Sequence, residues 1–307
     1  MPARHYALAL GCGRGFGGSE RKLAVKLGVT EKELDGLKGK VVAALKGGPL
    51  DPEQIKERVE VRNLGEEGKK KGLTTTLPVA LGELQVEGEI RRIPVNGRLD
   101  GQRYRYGVWR KNPLHGFGLS QEECARELAR LYWQWAGPAA LSEFQWFSGL
   151  GVKASKAAVE GLGLRPLEDG SEKLMTADGL EALRAYRAPK EPCYALVSSL
   201  DGITLLRRSV RDLLADAEAN IPMVQGLSEL PNNAILERGT LVGLWEYDPE
   251  AGGIAWTTFE KAPKKLQAEV EHVAEWIRTQ LGDARSFSLD SPRSRAPRIA
   301  ALRKAGH

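Results

Sequence analysis

Residues 89–111 of the chain read EIRRIPVNGRLDGQRYRYGVWRK. Two runs of β-branched and aromatic residues, 90–95 and 103–108, flank the dipeptides Asn96-Gly97 and Asp100-Gly101, whose residue types tolerate positive φ. This pattern predicts a β-hairpin. The stretch holds seven basic and two acidic side chains, and its net charge of +5 equals the formal net charge of all 307 residues. Such a concentration of positive charge on one small element indicates a polyanionic partner.

Three helices are predicted upstream of this hairpin. Thr30 and Glu33 form a capping box for a helix that runs to about Leu45. A second, short helix begins at Asp51-Pro52, and a third spans Thr74–Glu87. Three helices followed by a two-stranded ribbon is the order of a winged-helix domain. In that fold the third helix lies in the major groove and the ribbon, called the wing, reaches the DNA backbone or minor groove.

The predicted DNA contacts come from the start of the third helix, the basic loop before it and the wing. Hydroxyl and free backbone N–H groups at a helix start can bind phosphate, and basic side chains neutralise it. The residues that carry this prediction are Lys69, Lys70, Lys71, Thr74, Thr75, Thr76, Arg91, Arg92, Arg98, Arg103 and Arg105. Tyr104, Tyr106 and Trp109 either stack on a base or pack the ribbon against the core. The alternative is a solvated edge ribbon that its arginines protect; the agreement of helix, basic loop and ribbon favours DNA contact.

The pattern partly repeats further along the chain. A capping box at Ser120 begins a helix that Gly137-Pro138 end, and two helices follow around 141–147 and 152–162. A short hairpin is then predicted around Asp169-Gly170. This second ribbon is weakly acidic, so the two units are predicted to do different jobs.

The fold class predicted is α+β, with tandem winged-helix domains and a C-terminal mixed α/β region. Residues 1–30 are interpreted as the remnant of an N-terminal winged helix and a connector, and 31–117 as a winged-helix domain with a basic wing. A second winged-helix-like domain is predicted over 118–192, and a C-terminal α+β domain with a basic tail over 193–307. The tail, from 285 onward, holds six basic side chains and one acidic one.

Composition and spacing exclude several other classes. Cys12, Cys124 and Cys193 lie far apart in the sequence and are odd in number, which argues against a disulfide framework and suits a reducing cytoplasm. No apolar run approaches the roughly 20 residues of a membrane span, and no signal-peptide pattern occurs. The expected location is cytoplasmic, without a membrane partner. The four histidines share no metal-ligand spacing, so no metal site is predicted.

Within the glycine-rich segment GCGRGFGG (11–18), residues 13–18 have the spacing of a dinucleotide-binding fingerprint. That fingerprint needs a strand before it and an acidic residue about 20 residues on at a strand end. The candidate, Asp35, falls in a helical pattern, so a flexible connector is predicted and no small-molecule cofactor. Asp201 and Asp290 are the carboxylates to consider for catalysis. A turn former at Asp201, and a cap or ion pair at Asp290, are the favoured interpretations.

Several segments resemble the AlkZ/YcaQ-like winged-helix DNA glycosylase family, and together they cover most of the chain. The segments are ARELARLYWQWAGPAALSEFQWFSGL (125–150), GGPLDPEQIKERV (47–59), CYALVSSLDG (193–202) and ERGTLVGLWEYD (237–248). The resemblance implies tandem winged-helix domains in a concave, basic shape. It also implies double-stranded DNA, damaged or intact, as the partner, and hydrolysis of the N-glycosidic bond of alkylated or crosslinked bases.

The sequence departs from the family at one point. The resemblance implies a catalytic Gln-x-Gln or Gln-x-Asp pair in a first winged helix, and this sequence contains no such pair. Residues 1–10, MPARHYALAL, resemble the end of that first domain, so the chain is expected to begin after the catalytic motif. Gln145 does not match the position of the motif. An amide or carboxylate near the anomeric carbon stabilises developing positive charge and orients water. Without those groups DNA binding can persist while catalysis fails, so the sequence leaves open whether the chain is an enzyme.

Two other functions stay open on the sequence alone. One is a winged-helix transcription regulator without enzymatic activity, which would prefer one DNA sequence, whereas a repair protein would prefer a lesion. The other is a protein that uses its basic face for a protein partner. The salt dependence of binding distinguishes a protein partner from DNA, because affinity based on phosphate contacts falls steeply as the salt concentration rises.

Overall fold

The computed structural model describes most of the chain, which divides into two compact units, Met1–Leu128 and Ala129–His307. The described residues are 3–13, 18–95, 104–216, 221, 224, 230–287 and 290–305. Arg98 and Arg103, with the rest of the predicted hairpin turn, lie outside them, and so does the middle of the glycine-rich loop.

The first unit is built from helices and one two-stranded ribbon. Its elements are a 3₁₀ turn (Ala3–His5), α1 (Tyr6–Gly13), α2 (Gly18–Lys26), α3 (Glu31–Leu45), α4 (Pro52–Arg58), α5 (Gly65–Lys70), α6 (Leu77–Val86), β1 (Ile90–Pro94) and β2 (Tyr104–Val108), with α7 (Gln121–Ala136) crossing into the second unit. The strands of the ribbon are antiparallel, with Ile90 opposite Val108.

The predicted capping boxes form at the starts of the helices. The backbone N–H of Glu33 donates to Thr30 Oγ1 at 3.2 Å, and the N–H of Thr30 donates back to the Glu33 carboxylate at 2.6 Å. Ser120 and Glu123 make the same reciprocal pair before α7. Each pair satisfies two N–H groups that have no partner inside the helix, so these local signals fix where the helices begin.

Leu50 makes an isolated β-bridge to Tyr106 of β2, which adds a third backbone segment to the two-stranded ribbon. The N–H of Leu50 donates to the carbonyl of Tyr106 at 3.0 Å, and the N–H of Tyr106 donates to the carbonyl of Leu50 at 2.7 Å. Leu50 lies between α3 and α4, so the element order is α3, the short strand contact, the three helices α4 to α6, and the ribbon. The core under it contains Val41, Leu45, Ile55 and other buried apolar side chains of the helices.

Helices α1, α2 and α5 were not predicted by the sequence patterns. In α1, a Cβ atom at Gly11 would come within 2.6 Å of the Phe117 ring. Packing therefore requires glycine at this position, although glycine lowers the stability of a helix. Because α1 rather than a strand precedes the glycine-rich loop, the strand that a dinucleotide fingerprint needs is not there. The basic loop predicted before the third helix contains α5.

The second unit combines a helix–hairpin region with a four-stranded antiparallel sheet. After α7 its elements are α8 (Leu141–Ser148), α9 (Val152–Val159), β3 (Arg165–Pro166), β4 (Leu174–Met175), α10 (Ala177–Ala185), β5 (Tyr194–Val197), α11 (Gly202–Leu205), a 3₁₀ turn (Val210–Leu213), β6 (Asn233–Glu237), β7 (Thr240–Asp248), β8 (Gly253–Thr258), α12 (Lys264–Trp276), a π-helical turn (Ile277–Leu281) and α13 (Pro292–Ala305). The sheet order is β5-β6-β7-β8.

Two helices cover opposite faces of this sheet. Leu266 and Val270 of α12 pack against Trp245 on one face, and Ile299 and Leu302 of α13 belong to the core on the other face. The predicted basic tail is therefore an ordered helix that contributes to a hydrophobic core. Within the described parts of the chain, every helix is too short or too polar to cross a membrane.

The helix–hairpin region of the second unit repeats the order of the first. Ala139, just after α7, exchanges two backbone hydrogen bonds with Leu174 of β4, at 3.0 and 2.9 Å. This matches the exchange between Leu50 and Tyr106. The repeat predicted from the sequence is thus visible in the backbone pairing, while the division into four domains stays a prediction.

Candidate nucleic-acid interface

The wing, defined here as β1, β2 and the adjoining Trp109, presents three arginines at the surface. Arg91, Arg92 and Arg105 are exposed, whereas Ile90 and Tyr106 are buried and anchor the ribbon on the core. In the strand register Arg91 lies opposite Gly107, and Arg105 lies opposite Ile93. Side chains alternate between the faces of a strand, so Arg91 and Arg105 share the face opposite to the anchored one.

Aromatic rings hold two of these arginines in place. The guanidinium carbon of Arg91 lies 4.8 Å from the centre of the Trp109 ring, and that of Arg92 lies 4.5 Å from the Tyr104 ring. Trp109 also packs on Tyr6 of α1, with ring centres 5.6 Å apart. The aromatic residues of the wing thus pack the ribbon and its arginines, which was one of the two predicted roles. Such contacts restrict the arginine rotamers before any partner binds.

The wing keeps its positive charge. Among the residues that the structure describes, no carboxylate lies within salt-bridge distance of Arg91, Arg92 or Arg105. Burial raises the pKa of Tyr106, and the neighbouring Arg92 works against that rise. The exposed guanidinium groups remain available for phosphate, to which arginine can donate two parallel hydrogen bonds.

The lysines upstream of the third helix are partly neutralised. Lys71 donates to Glu67 at 2.7 Å, and Lys69 lies 3.8 Å from Glu66, both on the exposed surface of α5. Lys70 is exposed as well, and no carboxylate pairs with it in the described parts of the chain. Exposed pairs of this kind are weak, so these lysines can exchange their partners for phosphate at little cost.

The three threonines form an extended connection before the third helix. The carbonyl of Thr74 accepts the N–H of Leu64 at 2.9 Å, and Asn63 bridges to Thr75. Thr76 is 3% exposed, and its hydroxyl accepts the N–H of Arg62 at 3.3 Å. This burial keeps the Thr76 hydroxyl away from a phosphate, which leaves Thr74 and Thr75 as the accessible hydroxyls. The third helix was predicted to begin at about Thr74, and α6 begins three residues later, at Leu77, with Thr76 as the residue before it.

Helix α6, predicted to enter the major groove, does not have a free basic face. None of its ten residues is basic, and half of them are buried. The buried residues are Leu77, Val79, Ala80, Leu81 and Leu84. Its one acidic residue, Glu83, pairs with Arg21 at 2.7 Å and with Lys38 at 3.3 Å. Helices α1 and α2, which sequence patterns missed, pack against it. Groove contact by 74–87 therefore stays a prediction, for which α6 itself offers no basic side chain.

The remaining candidate carboxylates have structural roles. Asp201 caps α11 by accepting the N–H of Ile203 at 2.9 Å, as the turn-former interpretation expects. Asp290 accepts the N–H of Phe287 at 2.9 Å and binds Arg298 at 2.6 Å, so the ion-pair interpretation is confirmed. The start of α13 is capped instead by Ser291, whose hydroxyl accepts the N–H of Ser294 at 3.2 Å. In the described ranges no three His, Cys, Asp or Glu side chains come together as metal ligands.

Comparison of the chain with known proteins identifies a family and a similar fold. A family model described as DNA glycosylase AlkZ-like matches residues 14–277. Among solved structures, Streptomyces sahachiroi DNA glycosylase AlkZ matches with a TM-score of 0.59 and 19% sequence identity, over 87% of this chain and 72% of that chain. At that identity the likeness concerns the fold alone. A search of curated proteins gives no match.

Proposed function

The chain belongs to the AlkZ-like DNA glycosylase family, whose model matches residues 14–277, and from this we propose that it binds duplex DNA through the wing. The observation that carries the proposal is the set of three exposed arginines, Arg91, Arg92 and Arg105, which lack carboxylate partners in the described parts of the chain. Damaged duplex DNA is the substrate class that the family suggests.

Preorganised arginines favour this role over a merely solvated ribbon. Ordering a long side chain on binding costs about 0.5–1.5 kcal/mol, and the rings of Trp109 and Tyr104 already limit Arg91 and Arg92. Phosphate contacts position a protein on the duplex without reading its sequence. We also propose residues 31–117 and 118–192 as the two winged-helix domains.

We further propose that these 307 residues bind DNA without releasing a base. The sequence holds no Gln-x-Gln or Gln-x-Asp pair to stabilise the charge that develops on the sugar. The test is base release from an alkylated duplex, followed by cleavage of the abasic sites. Release at the uncatalysed rate is expected, and release that rises with protein concentration would overturn this part of the proposal while leaving DNA binding intact.

The binding proposal is tested by fluorescence anisotropy with a labelled duplex at several salt concentrations. A variant with Arg91, Arg92 and Arg105 replaced by alanine is expected to bind more weakly. Its slope of log affinity against log salt should be smaller by about 1 for each lost phosphate contact. A charge-matched control replaces three exposed arginines of the second unit, which are Arg184, Arg187 and Arg208.

Two outcomes would contradict the binding proposal. Equal binding by the wing variant and the wild type would remove the wing from the interface. Equal losses in the wing variant and the control would show that only net charge matters. A strong preference for one sequence over a shuffled duplex, with no preference for a lesion, would favour a transcription regulator instead.

A further inference from the structure

Two of the three cysteines lie side by side in the first unit, although 112 positions separate them in the sequence. Cys12 is in the last turn of α1, and Cys124 is in the first turn of α7. The Cys12 thiol donates to the backbone carbonyl of Cys124 with a sulfur–oxygen distance of 3.7 Å, and the two thiols are also hydrogen-bonded to each other. The two sulfur atoms are therefore neighbours in the contact between α1 and α7.

Contacts beside the two cysteines hold the end of α1 close to the start of α7. Gln121 Nε2 donates to the carbonyl of Gly11 at 3.1 Å. A Cβ atom at Gly11 would lie 2.6 Å from the Phe117 ring and 3.1 Å from Cys124 Sγ, so glycine lets the two backbones approach closely. A disulfide needs such an approach, because its two Cα atoms lie about 4.4–6.8 Å apart.

The two thiols differ in how far solvent reaches them. Cys124 is 1% exposed, whereas Cys12 is half-buried. A small oxidant from solvent therefore meets Cys12 before it meets Cys124. This order of access suits a pair in which one sulfur is oxidised first and the second sulfur then reacts with it.

We propose that Cys12 and Cys124 are a site of oxidative modification, at which a peroxide forms a disulfide that ties α1 to α7. The Cys12 thiolate attacks one oxygen of hydrogen peroxide and the O–O bond breaks, which gives a sulfenic acid and water. The Cys124 thiolate then attacks that sulfur, the S–S bond forms, and the hydroxyl group leaves as water. The two thiols lose two electrons and two protons in total, and one hydrogen peroxide is reduced to two water molecules.

The disulfide is expected to form slowly and to persist once formed. Burial raises the pKa of Cys12 to about 11, and the neighbouring Cys124 thiol adds to the rise, so few molecules carry the reactive thiolate at neutral pH. The same property favours the disulfide at equilibrium. A dithiol becomes a strong oxidant when its reduced form is stabilised, and a thiol with a raised pKa provides no stable thiolate. The site therefore responds to lasting oxidation and not to a brief pulse.

The effect of the disulfide extends to the wing through α1. Tyr6 of α1 packs on Trp109 with ring centres 5.6 Å apart, and the guanidinium of Arg91 lies over that Trp109 ring. A disulfide at the other end of α1 closes a covalent loop that spans 112 sequence positions, and a long loop restricts the unfolded chain more than a short one does. Oxidation should therefore stabilise the packed position of α1, which supports Trp109.

The test uses the full chain with Cys193→Ser, so that the exposed thiol takes no part. The protein is incubated with hydrogen peroxide, quenched with acid, alkylated with N-ethylmaleimide and digested. Mass spectrometry then measures the peptides linked through Cys12 and Cys124. The linked pair should appear and should be absent after dithiothreitol. Its rate of formation should rise about 10-fold for each unit of pH between 7 and 9, because the thiolate fraction rises by that factor below the pKa.

Two single substitutions in the same background are the controls. Cys124→Ser keeps Cys12 but has no second thiol, so peroxide should leave a sulfenic acid at Cys12 that dimedone labels. Cys12→Ser removes the thiol that reacts first. Peroxide should raise the Tm by roughly 5 °C or more in the protein with both thiols and in neither control.

Three outcomes would overturn the proposal. The first is that no linked peptide forms. The second is a yield that rises with protein concentration, which would show that the bond forms between molecules. The third is equal melting of the oxidised and reduced protein, which would show that the bond does not hold α1 in place. The assay contains no DNA, so its result is independent of the proposed function.

Discussion

The guanidinium of Arg295 and the carboxylate of Asp283 are joined by two hydrogen bonds, Nη1 to Oδ1 at 2.8 Å and Nη2 to Oδ2 at 3.2 Å. Arg295 is 1% exposed, and its Nη1 also donates to the carbonyl of Ala284 at 3.0 Å. The most basic stretch near the end of the sequence therefore uses one arginine to fix α13 on the sheet. Two other arginines of this helix, Arg298 and Arg303, also pair with carboxylates.

Replacing Arg295 by alanine is expected to destabilise the second unit by about 3 kcal/mol. Removing one partner of a buried pair typically costs about 3–5 kcal/mol, and Arg285 remains as a second partner of Asp283, which puts the expected loss at the low end. Arg303→Ala is the matched control on the same helix. Its side chain is 56% exposed, so its pair with Asp248 is worth at most about 1 kcal/mol. Chemical unfolding followed by tryptophan fluorescence measures both, and equal losses would contradict the structural role of Arg295.

Acid is expected to weaken the same contact. Burial raises the pKa of Asp283, but hydrogen bonds from Arg295 and Arg285 outweigh it, so the pKa is lowered overall. A lowered folded-state pKa means that the unfolded chain binds more protons as the pH falls below about 4. The stabilisation is present above that pH and is lost below it. Thermal unfolding between pH 6 and pH 2.5 should show a shallower pH dependence in Asp283→Asn than in the wild type.

Local signals in the sequence predicted some of these features, and others depend on distant contacts. The capping boxes at Thr30 and Ser120 involve residues three positions apart, and the wing follows from its turn dipeptides, so both could be read from short segments. The structural role of Arg295 could not be predicted in this way, because its pairing with Asp283 depends on how α13 packs in the folded chain. Likewise Thr76 has the residue type of a phosphate ligand, but its burial depends on the contact with Arg62, fourteen positions away.

The candidate site shows the same division. Positive charge on the wing was predictable, because Arg91 and Arg105 lie in a short run with alternating side chains. The packing of α1 and α2 against α6 was not predictable, because α1 is apolar at nearly every position and α2 is mostly polar, so neither shows a helical period. Gly11 illustrates the cause: its place in a helix follows from the Phe117 ring, which lies more than one hundred residues later.

Gly243 in β7 is expected to tolerate no side chain. A Cβ atom there would lie 2.3 Å from the carbonyl oxygen of Thr257 and 3.0 Å from the Cα of Thr258, both backbone atoms of the paired strand. Gly243→Ala should therefore force the strands apart and destabilise the sheet by about 1–3 kcal/mol. Gly253→Ala in β8 is the control, because no described atom lies within 4 Å of a Cβ atom at that position. A thermal shift assay that ranks the two variants equally would contradict this account.

The cysteines are expected to differ widely in reactivity. Burial raises the pKa of Cys12 to about 11, and the adjacent thiol of Cys124 adds to the rise. At pH 8 a thiol with that pKa is ionised in only about one molecule in a thousand. Cys193 is exposed, so iodoacetamide should label it first. Mass spectrometry of a time course at pH 8 checks the order, and early labelling of Cys12 would show that α1 opens readily from its packed position.

The contact between Arg92 and Tyr104 is expected to matter for DNA binding beyond its charge. Lysine at position 92 keeps the charge but loses the planar group that stacks on the ring at 4.5 Å, and such a contact is worth about 0.5–1 kcal/mol at an exposed site. Arg92→Lys should therefore bind duplex about 2- to 5-fold more weakly. Arg105→Lys is the control, since no described ring stacks on Arg105. A double-mutant cycle with Tyr104→Leu tests whether the ring acts by orienting Arg92. If it does, Arg92→Lys should weaken binding much less in the Tyr104→Leu background than in the wild type. Additive losses would mean that Tyr104 contributes independently of Arg92.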